Sequence, residues 1–555
     1  MRVVLLFLVA GLVFLSSNRT HCETGAIASG AREATAAGME ILRDGGNAID
    51  AAVAVGLTLG VVDGYNSGIG GGCFMVVHLA DGKVVTIDGR ETAPAASTRE
   101  MYIRDGNPVA SLSREGALAI GVPGELAAFA LALREYGTRP LGELLETAAG
   151  LAEAGFAIDA DYATLLAENA ADLGKFLPAD SPFFSGKGTL PEGRILKQPD
   201  LAKTYRAIAK QGIEWFYGGP FAEAVQQWMK ENDGIMTAAD LAQYRAVERE
   251  PVHSTYRGYD IYSFPPPSSG GVHVIQILNM LEPFDIAGMK DHPVELIHLL
   301  AESMKRAFAD RAFWLGDPAF SRVPKGLIDK KYADEWVSGI SAETVKPVEH
   351  HGTPPRATTE FFEEKHTTHF SVTDSVGNWV AVTATINTSF GSKVMIPGTG
   401  VWMNNQMDDF SLQPGVPNYF GLIGGEANSI EPGKRPLSSM SPTLVLKDGD
   451  PVISLGAAGG PTIITQTVLN LVRMLDFGMT AAEALEAPRF HHQWLPNVLT
   501  VESRISVSER DSLEKLGHQI NVVEKIGASQ IVTKIPDGKL HAHSDPRIRG
   551  WGMSE

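Results

Sequence analysis

The chain has 555 residues, with 47 Lys and Arg against 65 Asp and Glu for a formal net charge of −18, and a pI near 5.3. That balance argues against a phosphate-backbone partner, which needs clustered cations to displace counterions, so no nucleic acid is expected. With 44 % hydrophobic residues, a mean hydropathy of −0.02 and a mass of 59.5 kDa, two modules or one large layered unit around a sizeable core are predicted.

Met1-Arg2 is followed by an apolar run from Val3 to Leu15 and then by polar Ser16-Ser17-Asn18-Arg19-Thr20. This is the layout of a secretory signal, so residues 1–24 are expected to be a leader and the protein to be exported, periplasmic or secreted. The run is too short to span a bilayer as a mature helix. An uncleaved anchor is the alternative, because no A-x-A cleavage site is present. With only Cys22 and Cys73 in the chain, no disulfide framework is expected, and Cys73 reads as a small buried residue.

From Gly25 onward, Ala31, Ala34, Thr35, Gly38, Met39 and Leu42 keep helical spacing, Gly45-Gly46 stops that helix, and Asn47 caps a second, alanine-rich one to about Val62. Both are expected to be packed rather than surface-lying. The glycine run Ser67 to Phe74 enters a strand at Met75 to His78 and lacks the Lys-Ser/Thr ending of a phosphate loop, so it predicts close backbone approach rather than nucleotide binding. Helices follow near Glu125–Tyr136, Leu201–Gln211, Phe221–Glu231 and Val294–Phe313. Phe264-Pro265-Pro266-Pro267-Ser268-Ser269-Gly270-Gly271 reads as a rigid turn into a Val272–Leu281 helix; without G-x-S-x-G its serines are taken as structural. The span Lys346 to Lys365 is rich in His, Pro, Thr and Glu and is expected to be exposed and mobile.

That span leads to Thr367-Thr368-His369-Phe370-Ser371, which opens a hairpin: Phe370 and Val372, a turn at Asp374 to Asn378, then Trp379 to Thr385. Scission of the His366–Thr367 bond would leave Thr367 with a hydroxyl nucleophile and its own α-amine as base. Such an amine has a pKa of roughly 7.7–8.0, so a useful fraction is unprotonated near neutral pH. A threonine at a strand start also simply suits a pleated surface, and this short motif does not separate the two readings. Helices at Thr462–Leu475 and Thr480–Glu486 complete a pattern of strands backed by helices, which predicts stacked α and β layers.

Segments along most of the chain carry a family likeness: Leu42 to Ala52 (LRDGGNAIDAA), Ser67 to Gly72 (SGIGGG), Pro265 to Gly271 (PPPSSGG), Asn404 to Phe410 (NNQMDDF), Pro436 to Pro442 (PLSSMSP) and Pro488 to Gln493 (PRFHHQ). From about Gly25 to Arg547 the sequence resembles the γ-glutamyltranspeptidases, members of the N-terminal-nucleophile hydrolases. The resemblance implies an α/β (α+β layered) fold, a four-layer αββα sandwich. It also implies a precursor that cuts itself into a large chain, 25–366, and a small catalytic chain, 367–555, which stay associated. Thr367 is then the nucleophile on the γ-carbonyl of glutathione and other γ-glutamyl compounds, Thr385 positions its hydroxyl, and Gly459 and Gly460 offer oxyanion-hole amides. Water or an amino acid or peptide acceptor takes the glutamyl group.

By the same resemblance Arg90, Ser438 and Ser439 hold the α-carboxylate, and Asn387, Gln406 and Asp409 hold the α-ammonium. Asp409 favours γ-glutamyl over glutaryl substrates. Pro414 to Gly425 has the length of the family's lid loop, with Phe420 standing where a tyrosine is common and Tyr419 beside it. No cofactor is implied, and no metal is expected, since the adjacent His491-His492 on a strand would face opposite ways and have no third ligand. A glutaryl-type (cephalosporin) acylase, a poly-γ-glutamate-processing enzyme and an inactive exported binding homologue are the alternatives on this scaffold.

Overall fold

The computed structural model describes residues 24–178, 180–186, 188–357 and 369–555. The leader through Glu23, His366 and Thr367 therefore lie outside the described residues. Strands rich in Val, Ile, Thr and aromatic residues form where side chains alternate between two buried faces. In the first part of the chain they are β1 Gly25–Ser29, β2 Gly72–His78, β3 Val84–Asp88, β4 Val247–Arg249, β5 Val252–Tyr256 and β6 Tyr259–Ser263. The second part supplies β7 Phe370–Asp374, β8 Trp379–Thr385, β9 Thr443–Lys447, β10 Asp450–Ala458, β11 Ala528–Lys534, β12 Leu540–Ser544 and β13 Trp551–Ser554.

Among the described residues these strands make two antiparallel sheets, seven-stranded in the order β4-β3-β2-β8-β7-β1-β13 and six-stranded in the order β5-β6-β9-β10-β11-β12. In β2 the alternation is plain: Phe74 and Val76 meet Phe264, Trp379, Leu444 and Val532 between the sheets, whereas Met75 and Val77 face the outer helices. Phe74 stacks on Phe264 with ring centroids 4.1 Å apart, joining the sheets at the centre of that core. Helices α1 Arg32–Arg43, α2 Ala48–Val62, α3 Glu125–Tyr136, α4 Leu141–Ala154 and α5 Pro199–Gln211 cover the first sheet. Helices α6 Gly270–Leu281, α7 Pro293–Trp314 and α8 Thr462–Leu475 cover the second. The result is the expected αββα sandwich.

Segments from before 358 and after 368 alternate in both sheets: β8 pairs with β2, β7 with β1, and β9 with β6. Three expectations are corrected. Gly25–Ser29 is a strand, not the approach to a helix, because pairing on both sides by β7 and β13 outweighs local propensity. Helix α2 is buried at every position, as expected of a helix apolar all round, but α1 keeps Arg32, Glu33, Glu40 and Arg43 in solvent and lies at the surface. The described part of the Lys346 to Lys365 span is only half exposed and is tied down: the Gly352 amide donates to Asp310 Oδ1 at 2.8 Å, and Trp494 Nε1 donates to the Val348 carbonyl at 2.7 Å.

Candidate active site

A cavity of about 360 Å³, within the usual range of small-molecule sites, lies at the ends of β8 and β10. The β7–β8 hairpin is closed by Asp374, whose Oδ1 accepts the amides of Val376, Gly377 and Asn378 at 3.0, 3.0 and 2.9 Å. Its far end delivers Thr385 to the cavity, where the Thr385 hydroxyl oxygen accepts the Asn387 amide at 2.7 Å. Asn387 sits at φ 82°, a left-handed conformation that asparagine tolerates. Its Nδ2 donates to the Asn405 carbonyl at 3.0 Å, which turns it onto the same wall.

The next stretch carries the acidic group. Asp409 accepts Arg90 Nη2 at 2.5 Å and Gln406 Nε2 at 2.8 Å. Both Asp409 and Gln406 line the cavity, but Arg90 stands behind that wall, 1 % exposed. Arg90 Nη1 and Gln406 Oε1 are buried without hydrogen-bond partners. Glu91 lies 3.7 Å from Arg90 Nε. Burial pushes its carboxyl up to about 8 against the pull of Arg90, so at neutral pH it leaves the guanidinium its charge.

Ser438 and Ser439 line the cavity on the short segment that pairs with the Pro-rich turn, the Ser438 amide donating to Pro267 O at 2.9 Å. Arg311, near the C-terminal end of α7, reaches the same place: its Nη2 donates to Ser439 Oγ at 3.0 Å and its Nε to Ser269 Oγ at 2.9 Å.

Beyond β10 the chain turns into α8 through Gly459 and Gly460, at φ 133° and 59°, values that glycine alone takes without strain. Their amides donate to no acceptor among the described residues and border the cavity. A Cβ on Gly460 would come within 2.7 Å of Phe420, whose ring closes this side of the cavity. The loop carrying Phe420 is held by Asn418 Oδ1, which accepts the Phe420 amide at 3.0 Å, and by Gln493 Nε2, which donates to the Phe420 carbonyl at 3.2 Å. Tyr419, also at the cavity edge, is 54 % exposed, with the Arg114 guanidinium 5.3 Å from its ring centroid.

The cavity therefore gathers Thr385, Asn387, Gln406 and Asp409 with Ser438, Ser439, Gly459 and Gly460, while Arg90 supports it from behind. Among the described residues no three His, Cys, Asp or Glu side chains gather as metal ligands do. The γ-glutamyltranspeptidase family model matches residues 34–554. The chain belongs to the γ-glutamyltranspeptidase family. It is 44 % identical over 533 residues to the glutathione hydrolase proenzyme of Escherichia coli (strain K12), covering 95 % of this chain and 91 % of the relative. To the glutathione hydrolase proenzyme of Pseudomonas sp. (strain A14) it is 43 % identical over 552 residues, covering 96 % and 94 %. A crystal structure of cephalosporin acylase from Bacillus halodurans aligns with TM-score 0.84 at 27 % identity and 99 % coverage of both chains.

Two wall residues of this γ-glutamyltranspeptidase scaffold escaped the sequence reading. Arg311 was hidden in a helix that also carries Glu302, Lys305, Arg306 and Asp310; that surplus of charge on a helix flanked by apolar residues was the available signal. His369 was noted only as part of a motif. Its Nε2 lies 3.2 Å from the Gln530 carbonyl, which can only accept, so Nε2 carries the proton and Nδ1 is a bare, buried acceptor. Burial pulls its pKa down to about 3, so the ring is neutral. A Cβ on Gly456 would lie 2.4 Å from that ring, so only glycine admits it there.

Proposed function

We propose that this protein is a self-processing γ-glutamyltransferase and hydrolase that opens the γ-glutamyl bond of glutathione and related compounds through a γ-glutamyl-Thr367 ester. The observation that carries the substrate assignment is Asp409 at the cavity wall, braced by Arg90 and Gln406. A carboxylate so placed suits an α-ammonium group and has no counterpart in a glutaryl substrate.

In maturation the Thr367 hydroxyl attacks the His366 carbonyl carbon, the peptide bond becomes an ester, and water hydrolyses it to free the Thr367 α-amine. In catalysis that amine takes the hydroxyl proton as the oxygen attacks the γ-carbonyl. Thr385 ends β8 at the cavity, on the arm of the hairpin that pairs with β7, which supports Thr385 as the residue that positions the nucleophile. The Gly459 and Gly460 amides would receive the oxyanion. Collapse expels the amine leaving group with a proton. Water then releases glutamate, or an amino acid or peptide amine takes the acyl group. The two serines would hold the α-carboxylate, with Arg90 behind the wall bracing Asp409, and Asn387, Gln406 and Asp409 would hold the α-ammonium. The interleaving of segments 25–357 and 369–555 in both sheets supports two chains that stay associated after the cut. The leader pattern supports export, and no helix among the described residues is long and apolar enough to cross a membrane.

Intact mass under denaturing conditions tests the cut. Two species are expected, the smaller beginning at Thr367, and Thr367→Ala should leave one uncut chain without turnover. Efficient cutting of that variant would refute the shared nucleophile. Turnover of a γ-glutamyl anilide should exceed that of its glutaryl counterpart; the reverse preference would replace this reading with an acylase.

A further inference from the structure

The α-carboxylate end of the cavity contains a second arginine. Arg90 is already matched by Asp409, whereas Arg311, 5 % exposed, forms no salt bridge among the described residues and is held by the hydroxyl oxygens of Ser269 and Ser439. Its third nitrogen, Nη1, has no hydrogen-bond partner among the described residues. Burial pulls the Arg311 pKa down to about 10, partly opposed by Asp409, so the side chain stays cationic at neutral pH. A buried cation without a counter-anion is costly, and a carboxylate arriving in the cavity relieves that cost.

The hydrogen-bond directions add a second point. A guanidinium only donates, so at Ser439 it occupies a lone pair of Oγ and leaves the hydroxyl proton to be given elsewhere. At Ser269 the same cation fixes an oxygen whose own proton goes to the Ser438 carbonyl at 2.6 Å. One side chain therefore orients the Ser439 hydroxyl directly and the Ser438 main chain through Ser269.

We propose that Arg311 is a positioning residue of the α-carboxylate subsite, turning the Ser439 hydroxyl proton toward the substrate carboxylate and supplying the positive charge which that carboxylate neutralises. This rests on the γ-glutamyl reading above. The positively charged surplus makes the subsite selective for donors with a free α-carboxylate over α-amides or α-esters.

The test uses the processed enzyme with a γ-glutamyl anilide and its α-carboxamide counterpart. Arg311→Met is expected to raise KM for the carboxylate donor about 10- to 100-fold, the range of a charge-assisted hydrogen bond, with kcat changed only a few-fold. KM for the carboxamide should hardly move, so the preference between the two collapses. Combined with Ser439→Ala, the effects should not multiply, since both remove one interaction. A folded, cut Arg311→Met enzyme that keeps the wild-type KM and preference overturns the proposal. Arg311→Lys guards against misfolding: it keeps the charge but cannot hold both hydroxyls. It should lose part of the preference, and a fully wild-type preference in it overturns the orienting role. Wild-type protein that turns over neither donor would instead defeat the γ-glutamyl reading itself.

Discussion

Two groups of buried arginines differ in what faces them. Behind β11 and β12, Arg489 is fully buried against Asp545 and donates to the Ile526 carbonyl at 2.9 Å, while Arg547 grips Glu502 through Nη2 at 2.6 Å and Nε at 2.7 Å. There each guanidinium meets a carboxylate of its own chain. At the cavity Arg311 meets only serine hydroxyls, while Arg90, like Arg489, pairs with a carboxylate and keeps one buried nitrogen bare. A buried cation paired with a carboxylate is a structural knot, whereas a buried cation at a cavity wall that meets only hydroxyls is arranged for a ligand that completes it.

The comparison breaks first at the knot. Asp545→Ala would strand Arg489 and is expected to cost about 3–5 kcal/mol of stability, read as a lowered denaturant midpoint. At the site, Arg90→Ala should act chiefly on binding, raising KM by the equivalent of about 2–5 kcal/mol; an unchanged KM would move Arg90 into the structural group.

Acid should weaken the whole fold more gradually. Burial pulls His273, His369 and His492 down to about 3 and His491 to about 4. These folded values lie below the unfolded pKa of about 6.5, so the unfolded chain takes up the protons. The stability they contribute is complete above that value and is lost as pH falls toward 4. A denaturant midpoint that does not drop between pH 6.5 and 4.5 would contradict it. The smallest effect belongs to the lid: Phe420→Tyr adds a hydroxyl at the cavity beside Gly460 and should shift the ratio of transfer to hydrolysis by no more than a few-fold, leaving stability within about 0.5 kcal/mol. Product analysis with and without a peptide acceptor reads it.

Much of this was legible beforehand. The hairpin from Phe370 to Thr385, the Asn47 cap and the Thr462–Leu475 helix are specified by local alternation, turn chemistry and periodicity. The site residues were legible only through family likeness, because nothing local separates Asp409 from an ordinary turn aspartate. The strand Gly25–Ser29 was not legible, since its partners lie more than 300 residues away in the chain.

By itself, then, the sequence determined most of the elements and the layered class, because each depends on neighbours a few residues apart, whereas Thr367 stood out only through family likeness. Only the tertiary structure decided that Arg90 stands behind Asp409, that Arg311 holds Ser439, and which buried charges have partners. Charge pairing and desolvation are set by what packs against a group in space, and here that packing joins segments hundreds of residues apart.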